Sequence, residues 1–413
     1  MSKLEELIEQ YCPDGVEYVP LSSIGTIKRG NGLQKKDFVK AGIGCIHYGQ
    51  IYTKFGLFTN KTLTYVDKEL ADHLLHIEKG DLVIACTSEN VEDVCKAVAW
   101  LGDDSIVTGG HSCVLHHNQN PKYIAYFFQT ESFQRQKRKY AYGTKVIDIK
   151  PDSIGKIEIP LPPLPVQEEI VRVLDAFTEL QAELQAELQA ELQKRKQQYN
   201  YYRDNLLSFK GRTDVEWKKL GEIASIKTGR RFVRTDIRES GVPCFHYGDI
   251  YTYYGLTATQ TKGYLDKELA KKLRFAQPND VVVVCAGEND MDIGVGVAWL
   301  GDKPAVVHDA CCILHHNQSP RYISHFLRTH NYHLQMKKYV KNGKISSLPA
   351  SGLAEALIPL PSFEEQERIA AILDRFDTLT TDLTQGLPAE IEKRRQQYEY
   401  YRDKLLTFKR KGA

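Results

Sequence analysis

The sequence lacks the marks of a membrane-spanning or disulfide-stapled protein. No run is both apolar enough and long enough to cross a bilayer. The opening MSKLEELIEQ reads as a short amphipathic helix with no signal-peptide core. The nine cysteines are odd in number and none falls in a CxxC pair. Cys45, Cys86 and Cys113, and again Cys244, Cys285 and Cys312, lie on apolar strand-like runs, so reduced core thiols in a cytoplasmic protein are expected. A metal site built on Cys45-x-His47 and its copy is the lesser alternative. Net charge is only +2, which excludes a polycation. No GxGxxG follows a strand pattern and there is no P-loop, so nucleotide chemistry has no visible home.

What is present is a repeat inside a repeat. Phe177 to Gln193 reads FTELQAELQAELQAELQ, with Leu180, Leu184, Leu188 and Leu192 in register and no Gly or Pro. These residue types all favour helix, and the apolar pattern continues from about Pro165 to Phe209, a rod of roughly 65 Å at 1.5 Å per residue. A four-residue repeat overshoots the helical turn, so the leucine stripe drifts round the helix and cannot form a strict heptad seam. Such a long, polar helix needs a partner helix. The second half supplies one, because the chain is duplicated. HYG at His47 returns at His246, YVDKELA at Tyr65 as YLDKELA at Tyr264, AWLGD around Trp100 as AWLGD around Trp299, and LHHNQ around His116 as LHHNQ around His315. KRKQQYNYYRDNLLSFK from Lys194 returns as KRRQQYEYYRDKLLTFK from Lys393. A constant shift near 200 residues is a tandem domain duplication, not a solenoid.

Within each copy a globular part precedes a long helix. In the first, LVIAC (Leu82 to Cys86), SCVLHH (Ser112 to His117) and KIEIPL (Lys156 to Leu161) read as strands, while Asp67–Leu75 and Lys122–Lys139 read as helical. PLPPLP at Pro160 to Pro165 stops a strand and starts the long helix. The implied division is 1–161 and 211–360 for the globular units, with spacer helices at 162–210 and 361–413. In the second spacer, Gly386 and Pro388 should break or kink the helix, with Pro388 restarting it. Trp100 and Trp299 read as core aromatics, and His116-His117 and His315-His316 as structural. Basic residues cluster at Arg135–Lys139, Lys227–Arg234 and Lys337–Lys344, interleaved with Tyr, Gly and Asn, a composition suited to a phosphate backbone or simply to a solvated face.

End to end, the chain resembles the specificity subunits of type I restriction–modification systems. The resemblance rests on CPDGVEY at Cys12, the Ile27 to Gly32 segment, PLPPLPVQEEIVRVLD at Pro160, PLPSFEEQERIAAILD at Pro359 and the two QQYxYYRDxLL runs. The ELQA units look like the short spacer repeats of one subfamily. The resemblance implies an α+β fold: two similar mixed α/β target recognition domains separated by two long helices pairing as an antiparallel coiled coil, with pseudo-two-fold symmetry. It implies that each domain reads half of a split double-stranded DNA target. It also implies that the helices set the gap and dock two methyltransferase subunits, and that motor–nuclease subunits join for restriction. The chain itself would carry no catalytic centre and no cofactor; S-adenosylmethionine, ATP and Mg would belong to partner subunits. In keeping with this, no NPPY- or DPPY-type adenine-methylation motif is found: NQNPKY at Asn118 and NQSPRY at Asn317 lack the second proline and read as turns before a helix. A bacterial or archaeal cytoplasmic location, with no membrane partner, follows from the same resemblance.

Base-reading loops should combine phosphate anchors with polar groups that reach base edges. The candidates in the first unit are Lys35, Lys36, His47, Tyr48, Thr87, Ser88, Glu89, Asn90, Gly143, Thr144 and Lys145. In the second they are Arg230, Arg231, His246, Tyr247, Glu288, Asn289, Asn342, Gly343 and Lys344. For HYGxIY a buried Tyr/His brace is the structural alternative, and for Glu89-Asn90 and Glu288-Asn289 it is turn formation. Shared HYG and AWLGD segments predict related half-sites. Rival readings are a non-catalytic coiled-coil tether with two ligand-binding domains, and an enzyme such as a nuclease or a zinc hydrolase, for which the required His/Cys or carboxylate clusters are missing.

Each ELQA unit is slightly more than one helical turn. Deleting one should shorten the tolerated gap of a split target by about one base pair, 3.4 Å along each strand. Sequencing of methylated DNA reads the gap directly, and an unchanged gap would refute the spacer role.

Overall fold

The computed structural model describes residues 2–287, 293–341, 343, 345–381 and 386–412. The chain divides into two compact units. One comprises the chain up to Gln185 together with everything from Lys393 onward; the other is Ala186–Glu392.

In the first unit a five-stranded sheet has the order Gly25–Arg29, Ser112–His117, Leu82–Ala85, Ala97–Trp100, Phe58–Thr59. A four-stranded sheet has the order Thr64–Val66, Ile43–Ile46, Ile106–Thr108, Leu75–Ile77. The central strands are apolar on both faces because both faces are covered. Leu82, Ile84, Ala97, Ala99, Cys113 and Leu115 turn to a core shared with helix residues Tyr123, Phe127 and Phe133 and with Val166, Ile170 and Leu174. Val83, Ala85, Val98, Trp100 and Val114 turn the other way, onto Ile46, Ile77 and Ile106 of the smaller sheet. This is the period-two alternation of a strand buried on both sides. The second unit repeats both strand orders, with Val281–Val284 and Cys311–His316 at its centre. Trp100 and Trp299 are core residues as expected, each donating its indole N–H to a main-chain carbonyl, of Asp104 at 2.9 Å and Lys303 at 2.8 Å. The glycine of AWLGD is steric: a Cβ on Gly102 or Gly301 would stand 2.3 or 2.2 Å from the tryptophan ring.

Some local expectations need correction. Lys122–Lys139 is not one helix but two, Pro121–Phe127 and Glu131–Arg138, because the Thr130 hydroxyl accepts from the Phe133 amide and caps a new start. Asp67–Leu75 holds only one helical turn, Lys68–Ala71. Cys86 and Cys113 are joined as a disulfide between neighbouring strands, their Cα atoms 6.2 Å apart, where reduced thiols were expected throughout; the other cysteines are free and buried. Lys137, in one of the basic clusters, is buried and donates to the Glu92 and Val94 carbonyls at 2.7 Å, and burial lowers its pKa to about 8. It braces a loop and is not available to a phosphate.

The spacer is one helix, Leu164–Leu206, of 43 residues. The distal one is interrupted as expected, as Phe363–Thr381 and Leu387–Leu405. Each unit uses two helical segments. In the first, Phe177 stacks on Tyr401 at 6.4 Å, and in the second, Tyr202 stacks on Phe376 at 5.4 Å, the same pair one repeat apart. A buried glutamine fixes each helix start to its globular part. Gln167 accepts from the Asn120 amide (3.1 Å) and donates to Gln119 (3.0 Å) and the Pro162 carbonyl (2.8 Å). Gln366 makes the matching bonds to Ser319, Gln318 and Pro361. This explains why LHHNQ and the proline-rich junction recur together. CPDGVEY is explained by the chain end: the Val16 amide donates to Lys409 and the Tyr18 hydroxyl to Phe408. Gly15, at φ +100°, faces the Lys409 carbonyl, which a Cβ would meet at 2.5 Å.

Truncating Gln167 to Ala leaves a buried amide and carbonyl unsatisfied, at a cost of about 2 kcal/mol. A unit of this size should then melt roughly 4–8 °C lower, which calorimetry would read. Acid should act through two histidines. His117 and His316 accept the Gln119 and Gln318 amides on Nδ1 at 3.2 Å. Their Nε2 atoms are buried without a partner among the described residues. Burial lowers both pKa values to about 4, whereas an unfolded histidine takes its proton near 6.5, so the unfolded chain binds protons first. Stability is complete above about pH 6.5 and falls as pH drops toward 4, by roughly 1–2 kcal/mol per histidine at pH 5. Melting curves from pH 7 to 5 should show the loss, and His117→Gln with His316→Gln should flatten the profile.

Candidate nucleic-acid interface

In each unit the HYG segment forms the start of a short helix, Tyr48–Thr53 or Tyr247–Thr252. The histidine caps it: Nδ1 of His47 accepts from Gly49 at 3.2 Å, and Nδ1 of His246 from Gly248 at 3.3 Å. Both histidines are buried and both tyrosines are half-buried. Burial lowers the pKa of each histidine; Lys35 and His111 add to this at His47, and His308 at His246. The histidine is therefore the brace; in the first unit only the tyrosine reaches a cleft, and in the second both do.

The first unit's cleft, about 460 Å³, is lined by Tyr48, Tyr52, Thr87, Ser88, Glu89, Asn90, Asp93, His111 and Val146. Thr87 and Ser88 form a two-stranded ladder with Ile147–Asp148. The Tyr52 hydroxyl donates to the Thr87 carbonyl at 2.6 Å, and Thr87 Oγ1 lies 3.0 Å from His111 Nδ1. His111 also packs against Tyr48, ring centroids 4.8 Å apart. Asn90 takes the Asp93 amide at 2.7 Å and so forms a turn while its neighbour Glu89 stays exposed. Gly143, Thr144 and Lys145 are exposed on the turn closed by the Tyr142–Asp148 bridge; Gly143, at φ +114°, packs its Cα against the Val146 carbonyl. Lys35 and Lys36 stand exposed on the turn Lys35–Asp37, outside the cleft lining.

The second unit's cleft, about 400 Å³, is lined by Arg231, Phe232, Val233, Arg234, His246, Tyr247, His308 and Asp309. Arg230 is turned away, its guanidinium donating to the Lys272 carbonyl at 2.8 Å. Gly343 is exposed. Glu288, Asn289, Asn342 and Lys344 lie outside the described residues. The sequence singled out neither His111, His308 nor Asp309, and it offered Arg234 only as the end of the basic cluster Lys227–Arg234. Arg234 is the repeat counterpart of Lys35. The two histidines could have been found from the mismatch GGHSC against HDACC at the 199-residue shift.

Cys45 does not join His47 in a metal pair: its thiol lies 3.3 Å from the Thr64 hydroxyl. Among the described residues no cluster of three or more His, Cys, Asp or Glu could hold a metal, and no helix is long and apolar enough to cross a membrane.

Comparison with known proteins agrees with this architecture. The type I restriction modification DNA specificity domain family matches residues 13–194 and again 213–393. The EcoR124I/EcoR124II specificity subunit of Escherichia coli is 32% identical, over 99% of this chain and 97% of its own length. A putative type I restriction enzyme specificity subunit of Haemophilus influenzae is 33% identical, over 98% of both chains. Among solved structures, one concerned with complex assembly and conformational transition of the type I R-M system gives a TM-score of 0.70, at 17% identity over 95% of this chain and 97% of its own. The HsdS subunit of Thermoanaerobacter tengcongensis gives 0.54, at 17% identity over 97% and 99%. Two matched domains, relatives aligned over their whole length and a shared fold place the chain in one family: it belongs to the type I restriction–modification DNA specificity subunits and carries two target recognition domains.

Proposed function

We propose that this chain is a non-catalytic subunit that gives an adenine methyltransferase/endonuclease complex its DNA sequence. Each recognition domain reads one half of a split double-stranded target, and the spacer helices set the gap. The same helices dock two methyltransferase subunits, with motor–nuclease subunits joining for restriction. S-adenosylmethionine, ATP and Mg are carried by those partners, in the cytoplasm. The observation that carries this reading is the repetition of one cleft-bearing frame: the HYG helix, the adjoining loop and the seat on a helix pair recur one repeat apart. Duplex DNA has local two-fold symmetry, so a duplicated reader can meet two half-sites. Exposed Lys35 and Lys36 in one unit and Arg231 and Arg234 in the other suit phosphate and guanine contacts. A coiled-coil tether with two unrelated ligands would leave these exposed basic residues, set beside the HYG helix in both units, unexplained.

The decisive experiment co-expresses the chain with its cognate methyltransferase subunit and sequences methylated bases genome-wide. A new split motif, with methyladenine on opposite strands of its two halves, is expected. No new motif, from a methyltransferase shown active with another specificity subunit, would refute the reading.

A further inference from the structure

The two domains share a tyrosine but not the ring set against it. At the 199-residue shift, Gly109-Gly110-His111 stands where His308-Asp309-Ala310 stands. In the first unit nothing larger than glycine fits at 109, where a Cβ would stand 2.6 Å from the Leu33 Cβ and 3.0 Å from the Gly32 carbonyl. The imidazole is carried two residues later instead, at exposed His111. Thr87 occupies its Nδ1, which leaves Nε2 as the ring's remaining polar atom. In the second unit the ring at 308 fits. It packs edge-on against Phe232 (5.1 Å) and tilted against Tyr247 (5.2 Å), and the Ala310 amide donates to Nδ1 at 3.1 Å. The Asp309 carboxylate lies 3.0 Å from the same nitrogen, so the open donors of this cleft are the guanidinium groups beside the ring. The surroundings differ as well. His111 shares its cleft with the hydroxyl and acceptor groups of Thr87, Ser88, Glu89 and Asn90, and His308 shares its cleft with the guanidinium groups of Arg231 and Arg234.

We propose that His111 and His308 are the specificity-determining side chains of their domains: His111 reads a base pair through an exposed amino group of adenine or cytosine, and His308 packs in the cleft whose Arg231 guanidinium reads the N7/O6 acceptor edge of guanine. This rests on the function proposed above and narrows the expectation of related half-sites. The frame around Tyr48 and Tyr247 is common, but the two half-sites differ at the base pair these rings meet. The chemistry follows from the groove code: amino groups need an acceptor, and guanine O6 and N7 need donors.

The test uses the full-length chain co-expressed with its methyltransferase subunit, with methylated motifs sequenced for wild type, His111→Ala, His308→Ala and the matching Asn variants. Each Ala variant should lower discrimination about tenfold at one position of one half-site. The affected halves should differ between the two variants, with the gap and the opposite half retained. Asn, which keeps a donor and an acceptor, should restore discrimination at least in part or shift the preferred base. Unchanged discrimination at every position in both Ala variants overturns the proposal. So does loss of all methylation in an Ala variant that Asn restores with wild-type specificity, since that is a packing role. A wild type with no split motif would instead overturn the function itself.

Discussion

The fold depends on two buried amides. Gln167 and Gln366 sit where a proline-rich strand end becomes a long helix, and each is tied to a main-chain amide, a main-chain carbonyl and a second glutamine. A buried primary amide is costly unless satisfied, so these bonds admit one orientation of the helix on the sheet. A recognition domain is useful only if its loops are held at a defined angle to the rod that carries it. The glutamine supplies that angle without adding to the loops.

A second set of polar contacts ties the other helical segment into each unit, and its chemistry has drifted between copies. In the first unit the Tyr126 hydroxyl bonds Asp175 at 2.8 Å and Thr178 at 3.1 Å, and Thr178 bonds Tyr398 at 2.8 Å. In the second, Tyr199 meets His325 at 3.1 Å, and His325 meets Asp374 at 2.8 Å. Different side chains fill the same link between a domain helix and two spacer segments. Buried polar networks of this kind demand full satisfaction, and here both versions provide it. The leucines contribute less than their regularity suggests. Leu180 is 60% exposed, while Leu184, Leu188 and Leu192 are half-buried, as a stripe drifting round a helix must be.

The duplication, the long helix, its broken counterpart and the central strands were legible because each leaves a periodic trace: a shift of 199, a leucine every fourth residue, apolar runs between turn residues. The short helical turns and the break at Thr130 were not, because a single cap overrides a continuous helical pattern. Lys137 looked like part of a basic cluster, and only its carbonyl partners show it to be buried. The cleft was half legible. Tyr48, Thr87 to Asn90, Arg231, His246 and Tyr247 line it, but Arg230 turns away and His47 serves only as a cap. His111 and His308 were hidden because they are not at equivalent positions, and a search for repeated residues passes over a group that moves two places between copies.

The composition of the first unit has a consequence in time. Its helical seat is completed by Lys393 onward, including the Lys409 carbonyl that holds Val16. The second unit, Ala186–Glu392, is continuous in the chain. On the ribosome, therefore, the domain made first is finished last. At 5–20 residues per second, roughly 10–40 s separate its opening portion from its closing one. During that interval the groove beside Leu174, Phe177 and Leu184 that receives Tyr398 and Tyr401 waits uncovered, and the later-made domain is the first able to close its own core.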